Sequence, residues 1–283
     1  MEPTVTFTAA DSFTLGDLAP LWNRGYEAYS VPLVLDVAQL GWHITRSDIA
    51  RSQSVVGLVD GAPFGLSLAA MRGTSAWIGG FGIAMEHRRK GLAMRLMAEQ
   101  LTRLRKAGMR QVRLEVIDAN PAREVYRRNG FAEIRELQAW AGVPRGEAAA
   151  LEEIATDELA RAHPRLHGQA PSWRRQLPTL LHDVEAGSNV LALRRGGAVA
   201  AFAVAEPRGE RLMVHDAAAA DAEAGRGLLA GLGRRWPGLK VRLVDEPATS
   251  PLAEAARASG LATDLTQVEM INELASADNR RGS

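Results

Sequence analysis

The chain has 283 residues, 46% of them apolar and 24% charged, with a formal net charge of +1 and no cysteine. That length allows two ordinary domains, each able to bury its own core. The lack of cysteine excludes disulfides, cysteine metal ligands and an acyl-cysteine intermediate, and it fits a cytoplasmic protein. No apolar run approaches the roughly 18 residues that span a bilayer. Met1-Glu2-Pro3-Thr4 does not open a basic-then-apolar leader, so neither a membrane span nor a signal peptide is expected.

In chain order, Thr4 to Thr8 reads as a strand, and Thr14 with Asp17 three residues on is a variant of the capping box. Leu18, Leu21 or Trp22, and Tyr26 then form one helical stripe. Glu27 to Pro32 breaks it, and a second helix is expected from about Asp36 to His43. Ser54–Val59 and Pro63–Met71 read as two strands joined by Asp60-Gly61, a strong hairpin signal. A central strand follows over Trp77–Met85, with Gly79, Gly80 and Gly82 permitting a bulge or the close approach of a ligand.

Next comes Arg88-Arg89-Lys90-Gly91-Leu92-Ala93, and then Met94, Met97, Leu101 and Leu104 on one helix face. Strand, glycine turn, helix is the geometry in which free backbone N–H groups and the helix dipole converge on an anion. The turn is cationic, so a phosphate or pyrophosphate is its natural guest. Neither the Walker loop nor the dinucleotide fingerprint is present. Val112–Val116 reads as a buried strand, followed by Asn120-Pro121-Ala122 and by Val125-Tyr126-Arg127-Arg128-Asn129-Gly130-Phe131. Arginines cluster at 88–89, 103–113 and 123–128. Base-stacking aromatics are few and Glu99, Glu115 and Glu124 interrupt the run, so nucleic acid is not expected as a ligand.

Arg88-x-x-Gly91-x-Ala93, with the downstream strand and the Tyr126-x-x-x-Gly130-Phe131 ending, resembles the GNAT superfamily of N-acetyltransferases over roughly residues 1–140. The resemblance implies acetyl-CoA as co-substrate, with no metal. It implies a pyrophosphate held by Arg88, Arg89, Lys90, Gly91, Leu92 and Ala93, and a backbone N–H at Ile83, on a splayed strand, polarising the thioester carbonyl. Tyr126 would donate a proton to the leaving thiolate, and Glu115 is a candidate base. Asn120 stands six residues before Tyr126, where the family's spacing is commonly seven, so its place beside the cofactor is displaced by one position. Tyr26, Tyr29 and Trp42 lie where the family lines its acceptor site, and they read equally well as packing aromatics.

From Glu133 to Trp140 a last strand of the first domain is expected, and Gly142 to Glu147 has linker composition. The element order then repeats. Asn189–Arg194, Ala198–Ala205 and Arg211–Asp216 are strands, Gly225-Arg226-Gly227 opens a helix, and Lys240–Val244 is the next strand. Leu252–Ser259 is a helix, and Leu265–Ile271 closes the sheet. The fold expected is α/β, two tandem GNAT folds, each a mixed, mostly antiparallel twisted sheet flanked by helices. The first domain spans 1–142, the linker 143–147, the second, degenerate domain 148–276, and a disordered tail 277–283.

Aligning Gly225 on Gly91 leaves Ala222, Glu223 and Ala224 in place of three cations, so the second copy is expected to bind no CoA. His163 and His167 lie four apart beside Pro164, with no third ligand in register, and are expected to be structural. The activity implied is acetyl transfer to a primary amine, on a small molecule or a peptide, by direct attack in a ternary complex in the first domain. A CoA-binding or sensing module without transfer is the alternative. A pseudo-dimer within one chain suggests a monomer or a weak homodimer.

Overall fold

The computed structural model describes residues 3–29 and 33–274, so Val31, Pro32 and the expected tail at 277–283 lie outside the described residues. Contacts divide the chain into Met1–Ile134 together with Met270–Ser283, and Arg135–Glu269.

The first unit contains β1 (Val5–Ala9), α1 (Leu15–Gly25), α2 (Val37–Arg46), β2 (Val55–Val59), β3 (Ala62–Arg72) and β4 (Ser75–Ile83). It continues with α3 (Leu92–Lys106), β5 (Gln111–Ile117) and α4 (Ala122–Arg128). The strand order is β1-β2-β3-β4-β5. β1 to β4 pair antiparallel, whereas β4 and β5 run parallel. Thr14 caps α1 with Asp17 as the pattern predicted, and the Thr14 hydroxyl is the main cause of the lowered Asp17 pKa. Asp36 and Gln39 form a second, reciprocal capping box on α2. The hairpin turn places Asp60 and Gly61 at φ of 49° and 83°, the pair of left-handed residues that a type I′ turn demands.

The β4 glycines have a different use from the one expected. A Cβ on Gly80 would lie 2.2 Å from the Trp22 ring, and one on Gly82 would lie 2.8 Å from Gly25 Cα. They are small so that α1 can cross directly on the strand.

The second unit contains β7 (Glu152–Glu153), α5 (Thr156–Leu166), α6 (Leu177–Glu185), β8 (Asn189–Arg195), β9 (Ala198–Arg208) and β10 (Arg211–Ala219). α7 (Ala222–Arg235), β11 (Lys240–Pro247) and α8 (Pro251–Ala258) follow. Alternation explains its unbroken apolar strands. Ala201, Ala203 and Ala205 pack with Leu228, Leu229 and Leu252 of α7 and α8. Phe202 and Val204 pack with Leu159, Leu166 and Leu180 of α5 and α6. Sequence reading missed both of those helices, because Pro164 sits inside α5 and His163 is on its buried face.

Two strands depart from expectation. β6 (Ala132–Gly142) pairs antiparallel with β11, its residues Leu137–Gly142 lying against Val241–Pro247, so it serves the second unit's sheet. β12 (Ala262–Glu273) ends in the first unit, where the Leu274 N–H donates to Arg110 O at 2.7 Å and the Asn272 amide to Asn129 O at 2.7 Å. The boundary therefore falls at Ile134 rather than Gly142. The expected linker is also engaged: the Arg145 N–H donates to Ser259 O at 2.9 Å, within the second unit.

Candidate functional site

β4 and β5 pair only through Ser75–Trp77 and Gln111–Arg113, and then diverge into a wedge. At its root the Trp77 indole donates to Glu115 Oε2 at 2.7 Å. Next, His43 Nε2 donates to Gly79 O at 2.8 Å. Two residues on, the Phe81 N–H donates to the Tyr26 hydroxyl at 3.0 Å. Amides two apart on a strand share an edge, so Phe81 and Ile83 both face the wedge. The Phe81 amide is the one shown meeting a hydroxyl; the Ile83 carbonyl is held by Arg88 Nε at 2.9 Å, and its side chain lies in the core with Phe64, Leu92 and Leu96.

The chain's three tyrosines converge here. Tyr26 and Tyr29 stand edge to face at 5.4 Å, and Tyr126 packs at 5.7 Å against Phe81 and 5.9 Å against Phe131. Burial pushes the Tyr126 phenol well above its usual pKa, and Tyr26 and Tyr29 add to the shift. Burial raises Tyr29 as well, opposed by a hydrogen bond with Asn120. The Asn120 side chain also accepts from the Ala122 N–H at 2.8 Å, which ties it to the start of α4. Among the described residues Trp42 has no ring or hydrogen-bond partner; its neighbour His43 is the α2 residue that reaches β4. His43, Trp22 and Phe81 are the wedge residues that sequence reading passed over. The spacing of Leu40 and His43 on one helix face was the available signal for the histidine.

The glycine turn has a definite conformation. Arg89 lies at φ 60° and Gly91 at φ 74°, and Gly91 caps α3 with no side-chain hydrogen bond. The first N–H groups of α3 have no intrahelical acceptor, and successive amides in such a turn form an anion-binding concavity. A Cβ on Gly91 would meet no atom within 4 Å. That glycine is required by its backbone angle, and the space outside it is open. Arg89 and Lys90 are exposed, Leu92 is buried in the core, and Ala93 is partly buried. Arg88 has a structural task instead: its Nη2 donates to Gly25 O at 3.0 Å and Glu27 O at 2.9 Å, tying α1 to the turn. The fit to a pyrophosphate rests on backbone amides and on Arg89 and Lys90.

The second unit has the same wedge with different contents. β10 and β11 run parallel only over Arg211–Val214 and Lys240–Leu243. α7 begins at Ala222, directly after its Asp221 cap, so the long turn of the first unit has no counterpart. Gly225 and Gly227 lie inside α7, where Cβ atoms would come within 2.7 Å of Ala255 and 2.9 Å of Leu193. They are packing glycines, and the expected alignment of Gly225 with Gly91 is corrected. Ala255 is fifth in α8, as Tyr126 is fifth in α4.

The third ligand missing from the His163/His167 pattern does exist in space: Asp216 brings its carboxylate within 4.8 Å of both rings. Arg175 already donates to that carboxylate at 2.6 Å, and His163 Nε2 donates to Arg175 O at 2.9 Å. A guanidinium neutralises the site.

Residues 17–131 match the acetyltransferase (GNAT) family. A comparison with curated proteins finds no match. Among solved structures, a GCN5-related N-acetyltransferase from Sphaerobacter thermophilus is similar at TM-score 0.68 and 13% identity, covering 95% of each chain. A tandem GNAT protein from the clavulanic acid biosynthesis pathway is similar at TM-score 0.65 and 17% identity, covering 95% of this chain and 98% of that one. A GCN5-related N-acetyltransferase from Anabaena variabilis is similar at TM-score 0.66 and 12% identity, covering 95% and 73%.

Proposed function

The chain is a tandem GNAT-superfamily protein whose family match lies in residues 17–131, and on that premise we propose that it transfers an acetyl group from acetyl-CoA to a primary amine in the wedge of the first unit. The observation that carries this reading is the Gly91 turn: left-handed, uncapped by any side chain, with open space outside it and the tyrosine-lined wedge alongside. The α3 amides with Arg89 and Lys90 hold the pyrophosphate. The Phe81 amide takes the role expected of Ile83, donating to the thioester carbonyl in the position that the Tyr26 oxygen now fills. A donor aimed at a developing oxyanion is worth about 2.7–4 kcal/mol.

Tyr126, kept protonated by its burial, supplies the proton to the leaving thiolate. Glu115, at the root of the wedge, and His43 are the groups placed to receive the amine's proton, directly or through a water. The acceptor is a small-molecule or peptide amine, entering past Tyr26 and Tyr29. One site per chain is expected, since the second unit lacks both the long turn and the tyrosine.

Calorimetry with acetyl-CoA, paired with an assay of free thiol released by an amine panel, tests this. One molecule bound per chain, with thiol release that disappears in Gly91→Glu, is the expected result. Binding without release on any amine would support a sensing module instead. Unchanged affinity in folded Gly91→Glu would sink the site.

A further inference from the structure

The second unit buries more charge than a packing partner needs. Arg175 is 2% exposed and spans its wedge, donating to Ala217 O on β10 and to Asp245 O on β11, each at 2.8 Å. Its Nε donates to Asp216 and its Nη2 pairs with Glu246 at 2.7 Å. Arg174 and Gln267 satisfy Asp245 from the other side. Asp245 sits at φ 53°, a strained angle for a residue with a side chain, beside a register shift in β11. Burying ions is costly, and apolar residues of the same volume commonly stabilise a core better. Such an investment marks a site.

A cavity of about 160 Å³ opens beside this network, in the wedge itself. His167, Arg175, Glu246 and Ser250 form its polar wall, and Pro251 and Leu252 are among its apolar residues. Around it three carboxylates, Asp216, Asp245 and Glu246, face two guanidiniums, Arg174 and Arg175. The nearby Arg135–Glu269 pair, reached through Gln169, is neutral overall. With imidazoles neutral, one negative charge is left over. Burial raises the Glu246 pKa despite Arg175 and Ser250, the sign of a carboxylate short of positive charge. His167 gives its Nε2 to Asp216 at 2.9 Å, which leaves Nδ1 as an acceptor on the cavity side.

We propose that this cavity binds a small primary alkylammonium ion, its charged head between His167 and Glu246 and its alkyl tail against Pro251 and Leu252. The volume matches an engineered cavity of roughly 150 Å³ that takes benzene, so about six heavy atoms suit it. The site is separate from the wedge of the first unit and does not depend on the reading of that wedge.

The test titrates the full chain with n-pentylammonium chloride and, in parallel, with 1-pentanol, following the histidine ring resonances by NMR. His167 is assigned from a His167→Gln spectrum. Saturable shifts of His167 with the ammonium and none with the alcohol are expected. Glu246→Gln should weaken binding at least about tenfold, and Leu252→Phe should block it by filling the cavity. Acetyl-CoA affinity should stay unchanged in both variants. A silent His167 at millimolar ammonium, an equal response to the alcohol, or full affinity in Leu252→Phe would overturn the proposal. The wild-type titration stands even if Glu246→Gln does not fold.

Discussion

The two wedges share a frame and differ in what fills them. In the first unit the Ala84 N–H donates to Phe64 O at 2.8 Å, and in the second the Ala220 N–H donates to Ala200 O at the same distance, so the strand ends correspond residue for residue. Past that point the first unit inserts Ala84 to Gly91 before α3, and the second only Ala220 and Asp221 before α7. The first wedge is lined with tyrosines, whose hydroxyls can yield to a ligand. The second is bridged by an arginine that bonds both strands. A parallel pair that splays leaves amides and carbonyls unpaired on both edges, and each unit has solved that problem differently. The fold keeps the opening; the turn length and one or two side chains choose its guest.

The same substitution in the two units should break them in opposite ways. Gly91→Glu is expected to abolish acetyl-CoA binding, a loss beyond about a hundredfold. The fold should survive, because the only penalty is the left-handed angle, about 1–2 kcal/mol. Gly225→Glu should instead unfold or strongly destabilise the second unit, since its Cβ would meet Ala255 at 2.7 Å. Circular dichroism and calorimetry on the two variants make the comparison. An intact second unit in Gly225→Glu would show that α7 does not pack as described.

Tyr126→Phe comes next in size. Turnover should fall by about 10²–10⁴-fold with little change in acetyl-CoA affinity. The raised phenol pKa carries a sign that can be checked. The folded state holds this proton more tightly than the unfolded one, so its contribution to stability is complete below the model value of 10.0 and is lost as pH rises above it. Alkaline unfolding above about pH 10 should therefore be shallower in Tyr126→Phe than in the wild type. An unchanged alkaline limb would count against a buried phenol.

A smaller effect is expected at Tyr26, whose oxygen fills the acceptor position on the Phe81 amide. Tyr26→Phe should tighten acetyl-CoA about fivefold, the value of one modest hydrogen bond, and leave CoA without the acetyl group unaffected. Equal tightening of both ligands would show that the hydroxyl does not compete for the carbonyl position. Last, Asn272→Ala removes the bond to Asn129 O at the end of α4. It should cost about 1 kcal/mol, read as a fall in the melting temperature of the first unit. No change would mean that the chain's C-terminal strand contributes nothing to the unit that carries the Tyr126 helix.

Much was legible because it is local. Thr14 with Asp17, Asp60-Gly61, the apolar stripe of α3 and the Tyr126-to-Phe131 ending are patterns within a few residues, and each formed as read. The glycine turn was visible because φ above zero at a helix start is a demand on one residue. Two helices of the second unit escaped, since Pro164 and a buried histidine imitate a loop.

What the sequence by itself determined is therefore the series of elements and the turn that opens α3. Tertiary structure alone decided which sheet each strand serves, so that β6 pairs with β11 and the end of β12 lies beside Arg110. It alone turned Arg88 from a phosphate ligand into a clasp on Gly25 and Glu27, gave the Phe81 amide to Tyr26, and carried Asp216 to His167. The reason is physical. A strand's hydrogen bonds are made by backbone groups that every residue carries, so its sequence specifies a face but addresses no particular partner, and a side chain's partner is set only when distant segments arrive beside it.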